Sequence, residues 1–230
     1  MIVSHKYRFI FLKTAKTAGT SIEIALSKFL GDDDIITPIS SDDEYIRRQL
    51  GYRGPQNFRS PPGMRRVPSL FSTLFRKKRK AFYNHMPALE VRALIGDEIW
   101  NGYYKFCFER NPFDRVVSLY YWCYKTEPRP SMADFLKQDE IQLLSSRGIA
   151  LYTFDGEQPV VDKIGRYETL THDLQEIGQR LGIPGPLVLP QAKASHRTDR
   201  RHYSEILDDE CQDKIAARFR REMQLFDYRF

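Results

Sequence analysis

The chain has 230 residues and a formal net charge of +6, with 41% hydrophobic and 29% charged residues, which excludes a collagen, a low-complexity chain and a wholly disordered protein. Its three cysteines, Cys107, Cys123 and Cys211, include no CxxC pair; this argues against a disulfide scaffold or a zinc ribbon and for a reducing compartment. No stretch approaches 18 consecutive apolar residues, and the run Phe9 to Leu12 is too short for the core of a signal peptide, so the expectation is a cytoplasmic protein without a membrane span.

Charge is unevenly distributed. Between Tyr45 and Pro87 there is no acidic residue, and eleven basic ones fall there: Arg47, Arg48, Arg53, Arg59, Arg65, Arg66, Arg76, Lys77, Lys78, Arg79 and Lys80. The remaining 25 basic residues face 30 acidic ones. One segment therefore makes the chain basic. Such a block attracts a polyanion or an acidic surface, or is simply a solvated insertion.

In chain order, Arg8 to Lys13 (RFIFLK) reads as a short buried strand. A turn follows, then a helix from about Ser21, with Ile22, Ala25, Leu26, Phe29 and Leu30 at helical spacing and Gly31 as its stop. Residues 32–42 are acidic and read as a loop. Residues 51–69 carry four prolines and three glycines, which argues against regular structure. Pro87 opens a helix that ends at Gly96. Tyr103 to Phe108 (YYKFCF) is a second buried strand. Asn111 caps the next helix, Pro112 fits its first turn and Asp114 favours its dipole. Val160 to Tyr167 is a third strand and Thr171 to Leu181 a helix. Asp208 to Phe226 is amphipathic, with Cys211, Ile215, Phe219 and Met223 four apart. Strands separated by helices predict an α/β fold with a parallel sheet. The expectation is one domain over 1–230 with an insertion at about 42–80.

Most of the functional inference rests on the turn Lys13-Thr14-Ala15-Lys16-Thr17-Ala18-Gly19-Thr20-Ser21. A helix start offers unpaired N–H groups and the positive end of the dipole. Ala18 and Gly19 allow close approach, Thr17, Thr20 and Ser21 add hydroxyls, and Lys16 adds a cation. That is a recipe for binding a phosphate-like anion. It is not a Walker A loop, because Lys16 precedes the only glycine by three residues and no GK[ST] is present. The second strand ends in Arg110, and Ser118 lies eight residues on. In open α/β sheets ligands collect at such strand ends, so the two turns could grip two anionic groups of one ligand.

These residues resemble a known family. Ala15 to Ser21 resembles the PKTGGTS-type 5′-phosphosulfate loop of sulfotransferases, especially the carbohydrate-type members. Arg110 to Tyr120 resembles their 3′-phosphate motif, RxPxxRxxSxY. Tyr167 to Leu170 resembles their YExL segment, and Phe226 to Phe230 their closing FGYxF. Ala15 stands where Pro is usual, Ala18 where Gly is usual, and Asp227 for a common Gly.

The resemblance implies a three-layer α/β sandwich with a central, mostly parallel, P-loop NTPase-like sheet. It implies sulfuryl transfer from 3′-phosphoadenosine 5′-phosphosulfate, without a metal, to an acceptor hydroxyl, the expected acceptors being a glycan (a carbohydrate) or a small molecule, anionic ones included. Lys16 would meet the bridging oxygen; Thr17, Ala18, Gly19, Thr20 and Ser21 would surround the phosphosulfate; Arg110 and Ser118 would hold the 3′-phosphate; Tyr167 would lie near the adenine. A neutral-pH base is most simply a histidine, and His85 is the candidate, with Glu23 or Glu90 next. Lys193, Ser195 and Arg197 could close over the nucleotide. Tyr120, Tyr121, Trp122 and Tyr124 are a sugar platform or core packing. A nucleotide kinase and a polyanion binder working through residues 47–80 are the alternatives; nucleic acid is the less favoured partner.

Overall fold

The computed structural model describes residues 1–59, 81–190 and 199–230. Seven members of the basic block (Arg65, Arg66, Arg76, Lys77, Lys78, Arg79 and Lys80) and Lys193, Ser195, His196 and Arg197 lie outside them.

The elements run β1 (Ile2–Ser4), β2 (Phe9–Phe11), α1 (Gly19–Ser27), β3 (Ile35–Ile36), α2 (Ser41–Gln49), α3 (Ala88–Ile95), α4 (Asp97–Gly102), β4 (Tyr104–Glu109), α5 (Pro112–Cys123), α6 (Met132–Phe135), α7 (Asp139–Ser146), β5 (Lys163–Arg166), α8 (Leu170–Arg180), α9 (Asp209–Arg218) and α10 (Arg220–Phe226). The strands form one mixed sheet in the order β3-β1-β2-β4-β5. β2, β4 and β5 are parallel, and β1 runs against both its neighbours. The mostly parallel expectation holds for β2, β4 and β5, whereas the two pairings of β1, an interior strand, are antiparallel.

Successive strand residues point to opposite faces, and both faces are covered. Phe9, Phe11, Phe106 and Phe108 pack with Ile22 and Leu26 of α1 and Leu174 and Ile177 of α8. On the other face Val3, Ile10 and Cys107 meet Phe82, Val91, Trp100 and Tyr152. Gly165 of β5 has no room for a side chain, since a Cβ there would lie 2.4 Å from Phe108. A third cluster joins α5 to α6, α7 and α9 through Phe113, Val117, Phe135, Leu144 and Ile215.

Several expectations change. Residues 32–42 are not all loop, because β3 lies there, and the presumed insertion begins with a regular helix, α2. Pro87 is the N-cap of α3 rather than its first residue. The C-terminal amphipathic stretch is two helices, broken at Phe219. The basic block is not simply a solvated face: among its described members Arg47 is buried, and Arg53 donates to the Leu30 carbonyl and pairs with Asp32.

Candidate active site

The loop between β2 and α1 is built to leave a helix start open. Lys16 and Ala18 both adopt positive φ, at 63° and 61°. Alternating left-handed residues turn successive backbone N–H groups toward one side, as in anion-binding nests. Ala18 is the N-cap of α1, and no side chain caps that helix. Its first N–H groups thus keep their capacity for an external anion. Gly19 is required by contact: a Cβ would lie 2.7 Å from Lys13 Cγ and 3.4 Å from the Thr14 carbonyl. Thr17 turns inward. Its hydroxyl lies 2.8 Å from that of Thr14, which in turn donates to the Phe108 carbonyl. Thr17 is therefore placed to offer its backbone, whereas Thr20 is half-buried and Ser21 buried at the helix start.

Beneath this loop is a residue to which the sequence reading gave no separate role. Arg115 is fully buried. Its Nε donates to the Ala15 carbonyl at 2.9 Å, its Nη1 to Glu109 at 3.1 Å, and its Nη2 to the carbonyls of Leu144 and Arg147. The Ala15 N–H donates to the same Arg147 carbonyl at 2.9 Å. One guanidinium thus fastens the loop to β4 and to the end of α7. The available signal was the second arginine of the motif, five residues after Arg110.

The second turn, β4 to α5, meets the first. Asn111 caps α5, accepting from the Phe113 N–H at 3.0 Å, and Pro112 follows in the first turn. Arg110 is buried. Its Nε and Nη2 donate to Asp114 Oδ2 at 2.8 and 2.6 Å, and its Nη1 donates to the Lys16 carbonyl at 3.1 Å. Its guanidinium carbon lies over the Tyr167 ring, 3.8 Å from the centroid. Tyr167 itself follows β5 and donates its N–H to the Glu109 carbonyl at 2.7 Å. Ser118, half-buried, lies one helical turn beyond Asp114, on the stripe that runs from Arg110.

Lys16 extends toward the end of α5, where its ammonium sits 5.3 Å from the ring centroid of Trp122. Of the four aromatics considered as a platform, Tyr120 and Tyr121 belong to the core cluster and Tyr124 packs against it. Trp122 is the exception, 43% exposed.

His85 is brought to the other flank of the loop. Its Nδ1 lies 2.8 Å from the Lys13 carbonyl. A carbonyl only accepts, so Nδ1 carries the hydrogen and Nε2 keeps its lone pair. Burial first, and the Lys13 charge second, push this imidazole down to about 3. It is therefore neutral at working pH with Nε2 unprotonated, and the same lowering makes it a weak base. Glu23 is a poorer candidate. It is held by the Lys13 ammonium and the Met1 amino group, each at 2.7 Å; these cations outweigh the effect of its burial and draw it down to about 2. Glu90 lies on α3 and faces the Tyr83 hydroxyl.

Among the described residues, His172, Asp173 and Glu176 on α8 place potential metal-ligand atoms within 4.8 Å of one another. Asp173 is engaged by the Arg166 N–H and the Thr169 hydroxyl, and Glu176 by Lys163, so the group reads as a cap and an ion pair.

Residues 1–148 and 157–229 match a family described as the sulfotransferase family. The chain belongs to the sulfotransferase family. It is also 35% identical over 106 residues to a protein of Archaeoglobus fulgidus described as uncharacterized, a match covering 44% of this chain and 87% of that one. No solved structure matches it. Membership brings sulfuryl transfer in general, and no helix among the described residues is long and apolar enough to cross a membrane.

Proposed function

We propose that this sulfotransferase takes its sulfuryl group from 3′-phosphoadenosine 5′-phosphosulfate and passes it to a hydroxyl of a carbohydrate acceptor. The observation that carries the donor is the uncapped start of α1, flanked by Lys16 and joined through Arg110 to Tyr167. Two cationic groups are thereby placed at two neighbouring strand ends, as an adenylate with phosphates at both ends requires. A layered, P-loop-like sheet with its ligand at the carboxyl strand ends fits the same reading.

The donor supplies a sulfuryl group on a good leaving phosphate. The loop N–H groups of 18–21 and Lys16 hold the charge that develops on that phosphate, the electrostatic part of in-line transfer. Arg110 and Ser118 hold the distal phosphate, with Tyr167 under the base. His85 Nε2 takes the proton of the acceptor hydroxyl as its oxygen bonds to sulfur and the bridging S–O bond breaks. No residue set near the loop is needed to hold a metal in this scheme.

The test is a thermal melt with 3′,5′-adenosine bisphosphate. At a hundredfold excess over Kd it should stabilise by about 2.7 kcal/mol, which raises Tm by roughly 5–11 °C for a chain of this size. ATP with magnesium should do much less; the reverse ranking would favour a nucleotide kinase.

A further inference from the structure

The loop after β2 keeps two residues that carry side chains, Lys16 and Ala18, at positive φ. Such a backbone persists only where its surroundings impose it. Ala15, next to Lys16, is one place where they do. Both of its backbone groups are taken: its N–H donates to the Arg147 carbonyl at 2.9 Å, and its carbonyl accepts from Arg115 Nε at 2.9 Å. A proline has no N–H to give, so the bond to Arg147 depends on the alanine that stands here.

Arg115 ties the other end of this arrangement. Its Nη2 donates to the carbonyls of Leu144 and Arg147 at 3.3 and 2.9 Å, and its Nη1 to Glu109 at 3.1 Å. Leu144 lies in the last turn of α7 and Arg147 is its C-cap. Carbonyls there lack helical partners, and a cation is favoured beside them. The loop, β4 and α7 therefore meet on one buried guanidinium.

The room for that guanidinium is left by Gly148. A Cβ there would lie 2.8 Å from Nη1, 2.9 Å from Nη2 and 3.0 Å from Glu222 Oε1. Neither neighbour gives way freely: Arg115 is held by the bonds above, and Glu222 of α10 is buried. The glycine directly follows the Arg147 carbonyl that Arg115 and Ala15 share. A methyl group at 148 would push the guanidinium off that carbonyl and off Ala15, releasing one end of the loop from behind.

We propose that Gly148 is a positioning residue for donor binding: by leaving room for Arg115 it sets Ala15, and through Ala15 the strained backbone that aims the loop N–H groups at the donor's phosphosulfate. The proposal rests on the donor reading and adds to it a residue that belongs to neither anion-binding turn.

The experiment is calorimetric titration of the full chain with 3′,5′-adenosine bisphosphate, at a temperature where every variant is folded, together with hydrogen exchange of the unliganded chain. Gly148→Ala should weaken the bisphosphate by about 3–30-fold, the range for a residue that acts on a site through others. Its Ala15 amide should also lose more protection than the β4 amides, whose exchange reports global opening. A glycine that serves packing alone would lower Tm and produce neither effect. Arg115→Lys keeps a charge for Glu109 without the planar fork and should weaken the bisphosphate by a similar factor. Both substitutions break one clasp, so the double variant should bind within about twofold of the weaker single variant, not with the product of the two losses. A Gly148→Ala variant that binds the bisphosphate as wild type does overturns the proposal. So do losses that multiply, and so does a wild-type Ala15 amide that exchanges freely. Should Gly148→Ala not fold, Arg115→Lys decides, and full affinity in that variant overturns the proposal. Failure of the bisphosphate to bind wild type tells against the donor reading instead; the Ala15 amide of the variants still reads the clasp, and unchanged protection there overturns it.

Discussion

Arg110 donates from Nη1 to the backbone carbonyl of Lys16 at 3.1 Å, so the residue that closes β4 also holds in place the residue that carries the loop's charge. Removing Arg110 therefore does two things: it deletes a cation and releases the loop. Arg110→Ala is expected to weaken binding of 3′,5′-adenosine bisphosphate by about 10–100-fold, the range for losing a hydrogen bond to a charged group. Arg110→Lys should recover little, since one ammonium cannot serve Asp114, the Lys16 carbonyl and the Tyr167 ring together. Titration calorimetry on the two variants checks this.

Lys16→Ala should fold normally, because its ammonium sits over Trp122 rather than in the core. Its kcat is expected to fall by about 10²–10³, as when one donor to a developing charge is removed. An unchanged kcat would take Lys16 out of the chemistry.

The loop conformation gives opposite expectations for neighbouring residues. Ala18 has φ 61°, where a Cβ costs roughly 1–2 kcal/mol. Ala18→Gly relieves this, partly offset by the freedom glycine adds to the unfolded chain. A Tm higher by about 1–4 °C is expected. Gly19→Ala should destabilise by about 1–3 kcal/mol, because its Cβ meets Lys13 Cγ at 2.7 Å and the Lys13 ammonium is tied to Glu23. Paired melts of the two variants read both signs.

If His85 is the base, its acid limb belongs well below neutrality, since burial and then Lys13 hold it near 3. The rate should show no step near the ordinary histidine value of 6.5 as pH falls from 8 to 5. His85→Ala should lower kcat by about 10²–10⁴. A wild-type limb near 6.5 that vanishes on mutating another histidine would move the role elsewhere.

Glu222 of α10 gives the chain a pH dependence of stability. Its carboxylate is close to Arg115 and to Gly148, where a Cβ would lie 2.8 Å from Arg115 Nη1 and 3.0 Å from Glu222 Oε1. Burial, and then the Glu109 charge, raise it from 4.5 to about 7. The folded form therefore binds this proton more tightly than the unfolded chain does. That stabilisation is complete below about 4.5 and is lost as pH rises through about 7. The loss is on the order of 3 kcal/mol. Denaturant melts between pH 4.5 and 8 should show it in wild type and not in Glu222→Gln.

The parts of this architecture that read clearly from the sequence carry strong local signals. β2 is a continuous apolar run and β4 carries the apolar run Phe106 to Phe108, both buried, and Asn111-Pro112 marks the start of α5 by its capping chemistry. β1 and β3 were missed because three and two residues carry too little pattern to separate from a loop. α2 was missed because its buried residues are charged, the reverse of an amphipathic signal. The break at Phe219 is invisible in apolar spacing that continues through it. For the candidate site, the strand-to-helix turn itself was legible, although glycine, lysine and hydroxyls are also common in surface turns. The fastening of that turn was not. Arg115 carries a charge that usually marks a surface, and only the tertiary meeting of Ala15, Glu109, Leu144 and Arg147 around it shows why it is buried.

The pairing of Lys16 with Trp122 has an optical consequence. The chain has two tryptophans; Trp100 is buried, and Trp122 is partly open to solvent beside a cation. If Lys16 leaves the indole for the proposed donor, the red edge of the intrinsic emission should shift while the blue component stays constant, so a spectrofluorimeter can follow the departure in real time without any attached dye.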